Sequence, residues 1–169
     1  MDPTKPKEVV ISAGTARLKA IFALPLQAEG MVAFAHGSGS GRLSPRNNFV
    51  AQVLQEAGFA TLLADLLEED EALDRRNVFD IDLLAERLLA NAQWLHQLSE
   101  TRGMPVGYFG ASTGAAAALQ AVAKKPGGIA AVVSRGGRPD LAIDYLHLVQ
   151  SPTLLIVGET TDLSFPLTS

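Results

Sequence analysis

The chain has 169 residues, 47% hydrophobic and 19% charged, which excludes whole-chain disorder and allows one domain with a sizeable core. Fourteen Lys and Arg against eighteen Asp and Glu give a formal charge of -4, the wrong balance for a protein that neutralises nucleic-acid phosphates, and the lack of cysteine excludes disulfides, thiolate catalysis and cysteine-held metals. Residues 1–7 are polar with no apolar h-region, and no stretch approaches the roughly eighteen apolar residues of a spanning helix. A cytoplasmic protein with no membrane or nucleic-acid partner is expected.

Residues 9–11 and 18–24 are predicted strands, joined by a turn at Gly14 and so antiparallel. Residues 31–35 are continuously apolar, as in a strand covered on both faces. After a Gly/Ser loop a helix is predicted from about Asn48, with Phe49, Val50, Val53, Leu54 and Ala57 on its apolar side and Gly58 as its stop. Residues 60–64 form the next buried strand. Glu68-Glu69-Asp70-Glu71 reads as a solvated loop or helix start with no assigned function. Asp80 fits an N-cap for a helix to about Leu98, where Ile81, Leu84, Ala85, Leu88, Ala92 and Leu95 recur at helical spacing. Trp94 is a core or helix-packing residue. A strand over 105–109, an Ala-rich helix over 113–123, a strand over 129–133, a short helix over 139–148 and a strand over 153–157 complete the chain. Strands alternating with helices predict the α/β class, with right-handed crossovers and helices on both faces of a parallel sheet.

Gly110-Ala111-Ser112-Thr113-Gly114 matches G-x-S-x-G between a strand and a helix. This is the setting of a nucleophile elbow, where the flanking positions must be small because strand and helix nearly touch. Such a turn forces Ser112 onto the tip, above a helix N-terminus that favours developing negative charge. The alternative is an N-capping serine at a Gly/Ala-rich helix start. His36-Gly37-Ser38-Gly39-Ser40-Gly41 follows the 31–35 strand. In an acyl-transfer site this loop supplies one oxyanion donor, here Ser38 N–H, shaped by Gly37 and Gly39; Thr113 N–H supplies the other. His36 reads as structural rather than as a base. The same loop, with Asp65 ending the next strand, outlines a dinucleotide site. However, Arg42 stands where the third glycine is needed, and Leu43 to Asn47 separate the glycines from the helix. No P-loop and no metal or cofactor site is expected.

The segments HGSGSGRLSPRNNFVAQVLQEAGFATLLADLL, GYFGASTGAAAAL, VVSRGGRPDLA and SPTLLIVGE together resemble the dienelactone-hydrolase-like branch of the α/β-hydrolases, over residues 8 to 158. The resemblance implies a three-layer α/β-hydrolase fold whose mostly parallel sheet has one antiparallel strand near the start. It also implies a nucleophile, an acid after the seventh strand and a histidine after the eighth. Dienelactone hydrolase itself is expected to use cysteine; with Ser112 at the elbow, the implied chemistry is serine hydrolysis of a carboxylic ester or lactone.

Against the family pattern, the chain reads Gly158-Glu159-Thr160-Thr161-Asp162, and Asp162 is the candidate acid, one position later than the usual spacing. A final strand, its histidine and a final helix are not read before Ser169. The expected organisation is therefore a tail over 1–7, a hydrolase domain over 8–162 truncated at its C-terminus, and a tail over 163–169. Weak or absent activity is expected in this form. His147 could approach Ser112 or be a surface histidine. Arg135 could pair with a substrate carboxylate, or be a loop arginine bonding carbonyls or Asp140. The strand over 153–157 would be an exposed sheet edge, inviting self-association. A non-catalytic binding or interaction domain is the alternative, with a dinucleotide-binding domain behind it.

Overall fold

The computed structural model describes residues 5–158. Seven strands form one sheet: β1 (Lys7–Ala13), β2 (Ala16–Ala23), β3 (Gly30–Ala35), β4 (Phe59–Ala64), β5 (Val106–Ala111), β6 (Ala131–Arg135) and β7 (Thr153–Ile156). Their order across the sheet is β1-β2-β4-β3-β5-β6-β7. β2 runs antiparallel to both neighbours, while β4, β3, β5, β6 and β7 are mutually parallel. This is the mostly parallel α/β sheet with one antiparallel strand near the start that the sequence implies.

The connections explain where a site belongs. From β3 the chain crosses through helix α1 (Pro45–Glu56) to β4 on one side. It then passes through the single turn α2 (Arg75–Val78) and helix α3 (Ile81–Gln97), returning to β5 on the other side of β3. The strand order therefore reverses between β3 and β5, and in open α/β sheets the crevice outside the carboxyl ends at such a point binds ligands. The His36 loop leaves β3 there, and Ser112 leaves β5 into helix α4 (Thr113–Lys124).

The main core lies under α3 and α4. Leu18, Met31, Leu62, Leu88, Val106 and Val122 are buried in it, and Tyr108 donates from its hydroxyl to the Leu88 carbonyl at 3.1 Å. A smaller cluster of Phe34, Ala51 and Leu63 lies under α1. Trp94 packs edge-on against Phe22, so it is a helix-packing residue.

Three local expectations are corrected. The helix expected from Asn48 starts at Pro45, because Ser44 caps it by accepting the Asn47 N–H and Pro45 needs no donor there. Its buried side carries Asn47 and Ala51, with Val50 and Leu54 half-buried, whereas Phe49 and Val53 are exposed. The small Ala51 lets the helix approach Phe34 and Leu63. The expected helix over 139–148 is a 3-10 segment, Pro139–Leu148, broken at Ala142 by φ -116 and ψ 21.

Candidate active site

Ser112 separates the last residue of β5 from the first of α4, with φ 53 and ψ -123. It is the one non-glycine residue at positive φ among the described residues. Such a conformation costs on the order of 1–3 kcal/mol and persists only where the surroundings impose it. Here they do. A Cβ at Gly110 would stand 2.5 Å from Ala115 Cα, and one at Gly114 would stand 2.0 Å from the Ala35 carbonyl oxygen. Strand, helix and the end of β3 are thus in backbone contact, and the serine takes the only path between them. The Ser112 side chain makes no cap bond to α4, which disfavours the N-capping alternative. Its carbonyl accepts the Ala115 N–H at 3.1 Å and the Arg138 N–H at 3.2 Å.

The Gly37 backbone lies against Ser112: a Cβ there would be 3.0 Å from Ser112 Cβ. Ser38, Gly37, Gly39 and Thr113 line a single cavity of about 320 Å³, bounded on its apolar side by Leu67 and Leu84. The structure thus brings the loop after β3 and the start of α4 to one space. Thr113 is the first helical residue, so its N–H has no intrahelical acceptor. Its hydroxyl oxygen is buried without a partner among the described residues.

His36 and Asp65 fix the loop. The Leu66 N–H donates to His36 Nε2 at 3.0 Å, so that nitrogen carries the lone pair. Nδ1 must then hold the proton, which it donates to the Gly37 carbonyl at 2.9 Å. Burial holds the His36 pKa below its ordinary value, opposed by the Gly37 bond and the nearby Asp65. With both nitrogens engaged, a neutral His36 has no lone pair free for a serine proton. Asp65 accepts the Arg42 N–H and the Arg42 Nη1–H, both at 2.6 Å. The carboxylate that a dinucleotide ribose would need is therefore occupied by Arg42, the residue that breaks the glycine pattern. The acidic run also contributes to the scaffold: Glu71 pairs with Arg87 at 2.7 Å, and Glu68 accepts the Arg17 N–H at 2.9 Å.

Arg135 ends β6 beside Ala111, turns its guanidinium to Asn47 of α1, and does not line the Ser38–Thr113 cavity. Its Nη2 donates to Asn47 Oδ1 at 3.3 Å, and its guanidinium lies 5.7 Å from the centre of the Phe109 ring. Burial, and then the charge of Arg46, lower its pKa. Asp140 is not its partner; Arg138 holds Asp140 at 2.7 Å. His96 lies within 3.4 Å of the Gly128 carbonyl, and His147 is exposed on the 3-10 segment. Asp162 lies outside the described residues.

The seven-stranded order, the switch point and the strand–serine–helix turn define an α/β-hydrolase fold. The crystal structure of dienelactone hydrolase from Anabaena variabilis matches it with a TM-score of 0.85 and 55% identity, covering 90% of this chain and 74% of that one. The chain belongs to the dienelactone hydrolase family. A dienelactone hydrolase-like promiscuous phosphotriesterase from metagenomic libraries matches with a TM-score of 0.74 at 22% identity, covering 91% of this chain and 68% of that one. An esterase of Pyrococcus furiosus matches with 0.72 at 16%, covering 90% and 70%. At these identities the likeness is one of fold. A Mycobacterium tuberculosis protein named, provisionally, a phosphoribosyl transferase is 55% identical over 156 residues, which are 92% of this chain and 35% of that protein. The chain thus spans about a third of the length of the curated relatives it matches. No family model matches the chain.

Proposed function

We propose that the chain carries the nucleophile half of a serine hydrolase acting on carboxylic esters or lactones. The observation that carries this reading is the backbone of Ser112, held at φ 53 and ψ -123 above the N-terminus of α4. In the proposed reaction Ser112 Oγ bonds to the acyl carbon, its proton passes to a base, and the carbonyl electrons collect on oxygen. That oxygen takes hydrogen bonds from the Thr113 and Ser38 N–H groups. The tetrahedral species then expels the alcohol with a proton, and water repeats the sequence to free the acid and restore Ser112. Gly37 and Gly39 give the acyl group room. Such a donor pair with bound substrate retains roughly 10³–10⁴-fold acceleration over water even without a complete triad.

His147 makes no hydrogen bond among the described side chains, so it is the first base candidate to substitute, and Asp162 is the acid candidate. Arg135, outside the Ser38–Thr113 cavity, would hold a carboxylate only on a substrate long enough to reach the Asn47 side of β6, where among the described residues it faces no carboxylate of the protein. Pairing of a second chain along β7 is part of the same reading, supported, among the described residues, by its place at the sheet edge and by the exposure of Leu154 and Ile156. Light scattering over a concentration series tests that pairing. A cytoplasmic location, supported by the cysteine-free composition, completes the proposal.

Labelling with a fluorophosphonate, with Ser112→Ala as control, tests the nucleophile. Modification of wild type alone is expected; equal labelling of both, or of neither, rejects Ser112. The name of the mycobacterial relatives suggests phosphoribosyl transfer as a second reading. That name describes a protein of which this chain covers 35%, whereas it covers 74% of the Anabaena hydrolase. Incubation with a phosphoribosyl donor is expected to give no transfer.

A further inference from the structure

The motif Ser134-Arg135-Gly136-Gly137-Arg138 ends β6 and turns out of it, and beyond Arg135 it is not used by the chemistry above. Its turn nevertheless reaches Ser112. The Arg138 N–H donates to the Ser112 carbonyl at 3.2 Å, and the Gly136 N–H donates to the Ile156 carbonyl of β7 at 2.8 Å. One short turn therefore ties the strand beyond β6 to the serine between β5 and α4.

Both glycines are required by geometry. Gly136 has φ 51, a left-handed conformation that side chains disfavour. A Cβ at Gly137 would stand 2.1 Å from Ser134 Oγ and 2.7 Å from Ala115 Cβ. The turn therefore lies directly on the first turn of α4. The Arg138 side chain is turned outward, its Nε and Nη2 donating to the Asp140 carboxylate at 2.9 and 2.7 Å, so only its backbone acts on the elbow.

We propose that the Gly136-Gly137-Arg138 turn is a positioning device for the elbow, holding the Ser112–Thr113 peptide through the Arg138 N–H. The contacts at Gly110 and Gly114 impose the positive φ of Ser112 but leave the direction of its carbonyl to hydrogen bonding, for which the Ala115 N–H alone is a bond within the same turn. The second bond comes from the separate turn after β6 and sets the direction of the Ser112 peptide. The inference rests on the nucleophile reading for its consequence, but not for its geometry.

The full chain tests it by NMR and labelling together. The Arg138 amide is expected to be protected from hydrogen exchange, and a strong intraresidue HN–Hα NOE at Ser112 to report its positive φ. Arg138→Ala keeps the N–H and loses only an exposed ion pair, so labelling within about twofold of wild type is expected. Gly137→Ala displaces the turn. It is expected to slow labelling by about 100-fold, as for a reacting group misplaced by about 1 Å, while amides of β3 and β5 stay protected. For an activated ester the loss falls in kcat with little change in KM. Adding Ser134→Ala removes the nearer of the two contacts and restores part of the rate. An Arg138 amide that exchanges like an unstructured peptide overturns the clamp, as does a folded Gly137→Ala variant with wild-type labelling. If Gly137→Ala does not fold, the wild-type exchange rate decides. Wild type that is not labelled rejects the nucleophile instead, and leaves the Arg138 measurement standing.

Discussion

The two faces of the sheet are covered unequally. Beneath α3 and α4 a continuous core runs from Ile11 on β1 to Val132 on β6, and every residue of α4 from Thr113 to Ala123 is buried. Beneath α1 the buried apolar cluster is only Phe34, Ala51 and Leu63, and an apolar cavity of about 300 Å³ opens between Val32, Leu54, Phe59 and Val133. Alanine explains the first face. With no side-chain reach, Ala115 to Ala118 bring the α4 backbone down onto β3 and β5, and this approach creates the Ser112 turn. The lesson is that the elbow belongs to the close-packed face. The α1 face carries Arg135 and Asn47, where the packing is looser and a polar bond fits.

The largest effect expected from this contrast is at its tightest point. Gly114→Ala puts a Cβ on the Ala35 carbonyl, and a loss of about 4 kcal/mol or more, or failure to fold, is expected in urea denaturation. A normally folded variant would break the claim that the α4 backbone touches β3. Next, equivalent deletions on the two faces should differ. Leu88→Ala, in the core under α3, should cost about 3 kcal/mol, and Leu54→Ala, half-buried under α1, about 1 kcal/mol. Equal costs would mean that the faces are packed alike.

A third test concerns the pin between the His36 loop and Leu66, which belongs to the larger core. The folded protein keeps His36 neutral, with a pKa lowered from 6.5 by burial. The unfolded chain therefore binds this proton first. Its contribution to stability is complete above pH 6.5 and declines as pH falls from there toward the lowered folded value. Protonation also replaces the acceptor facing the Leu66 N–H with a second donor. Melting temperature against pH should show this slope in wild type and lose it in His36→Gln; an unchanged slope would place the proton uptake elsewhere. The smallest effect serves as a control. Ser44 caps α1 and Asp80 caps α3 by accepting the Leu83 N–H at 3.0 Å. Because capping is local, replacing either by alanine should cost about 1 kcal/mol whichever face the helix covers. A cap cost that follows the face would show that packing and capping are coupled here.

Much of the site was legible because sterics at a tight turn act through residue type. Gly110, Ser112 and Gly114 announce a path that only small residues permit, and the strand and helix on either side follow from periodicity. Ser38 and Thr113 could be placed near one another because each follows the carboxyl end of a strand, one in a loop and one at a helix start, and a parallel sheet sets those ends side by side. The α1 face was not legible. Phe49 and Val53 suit an apolar stripe as well as Ala51 and Leu54 do, and the choice between them depends on what β3 and β4 present beneath the helix.

The sequence by itself determined the alternation of strands and helices, the cap at Asp80 and the serine turn, because each depends on neighbours within a few positions. The tertiary structure alone decided that Arg42 holds Asp65, 23 positions away, and that the two nitrogens of His36 face Gly37 and Leu66. It likewise decided that the Arg138 N–H reaches Ser112 and that Arg135 turns to Asn47 rather than to Asp140. Such pairings are fixed only when the crossovers bring distant segments to the same edge of the sheet. No propensity or spacing along the chain encodes which donor will meet which acceptor there.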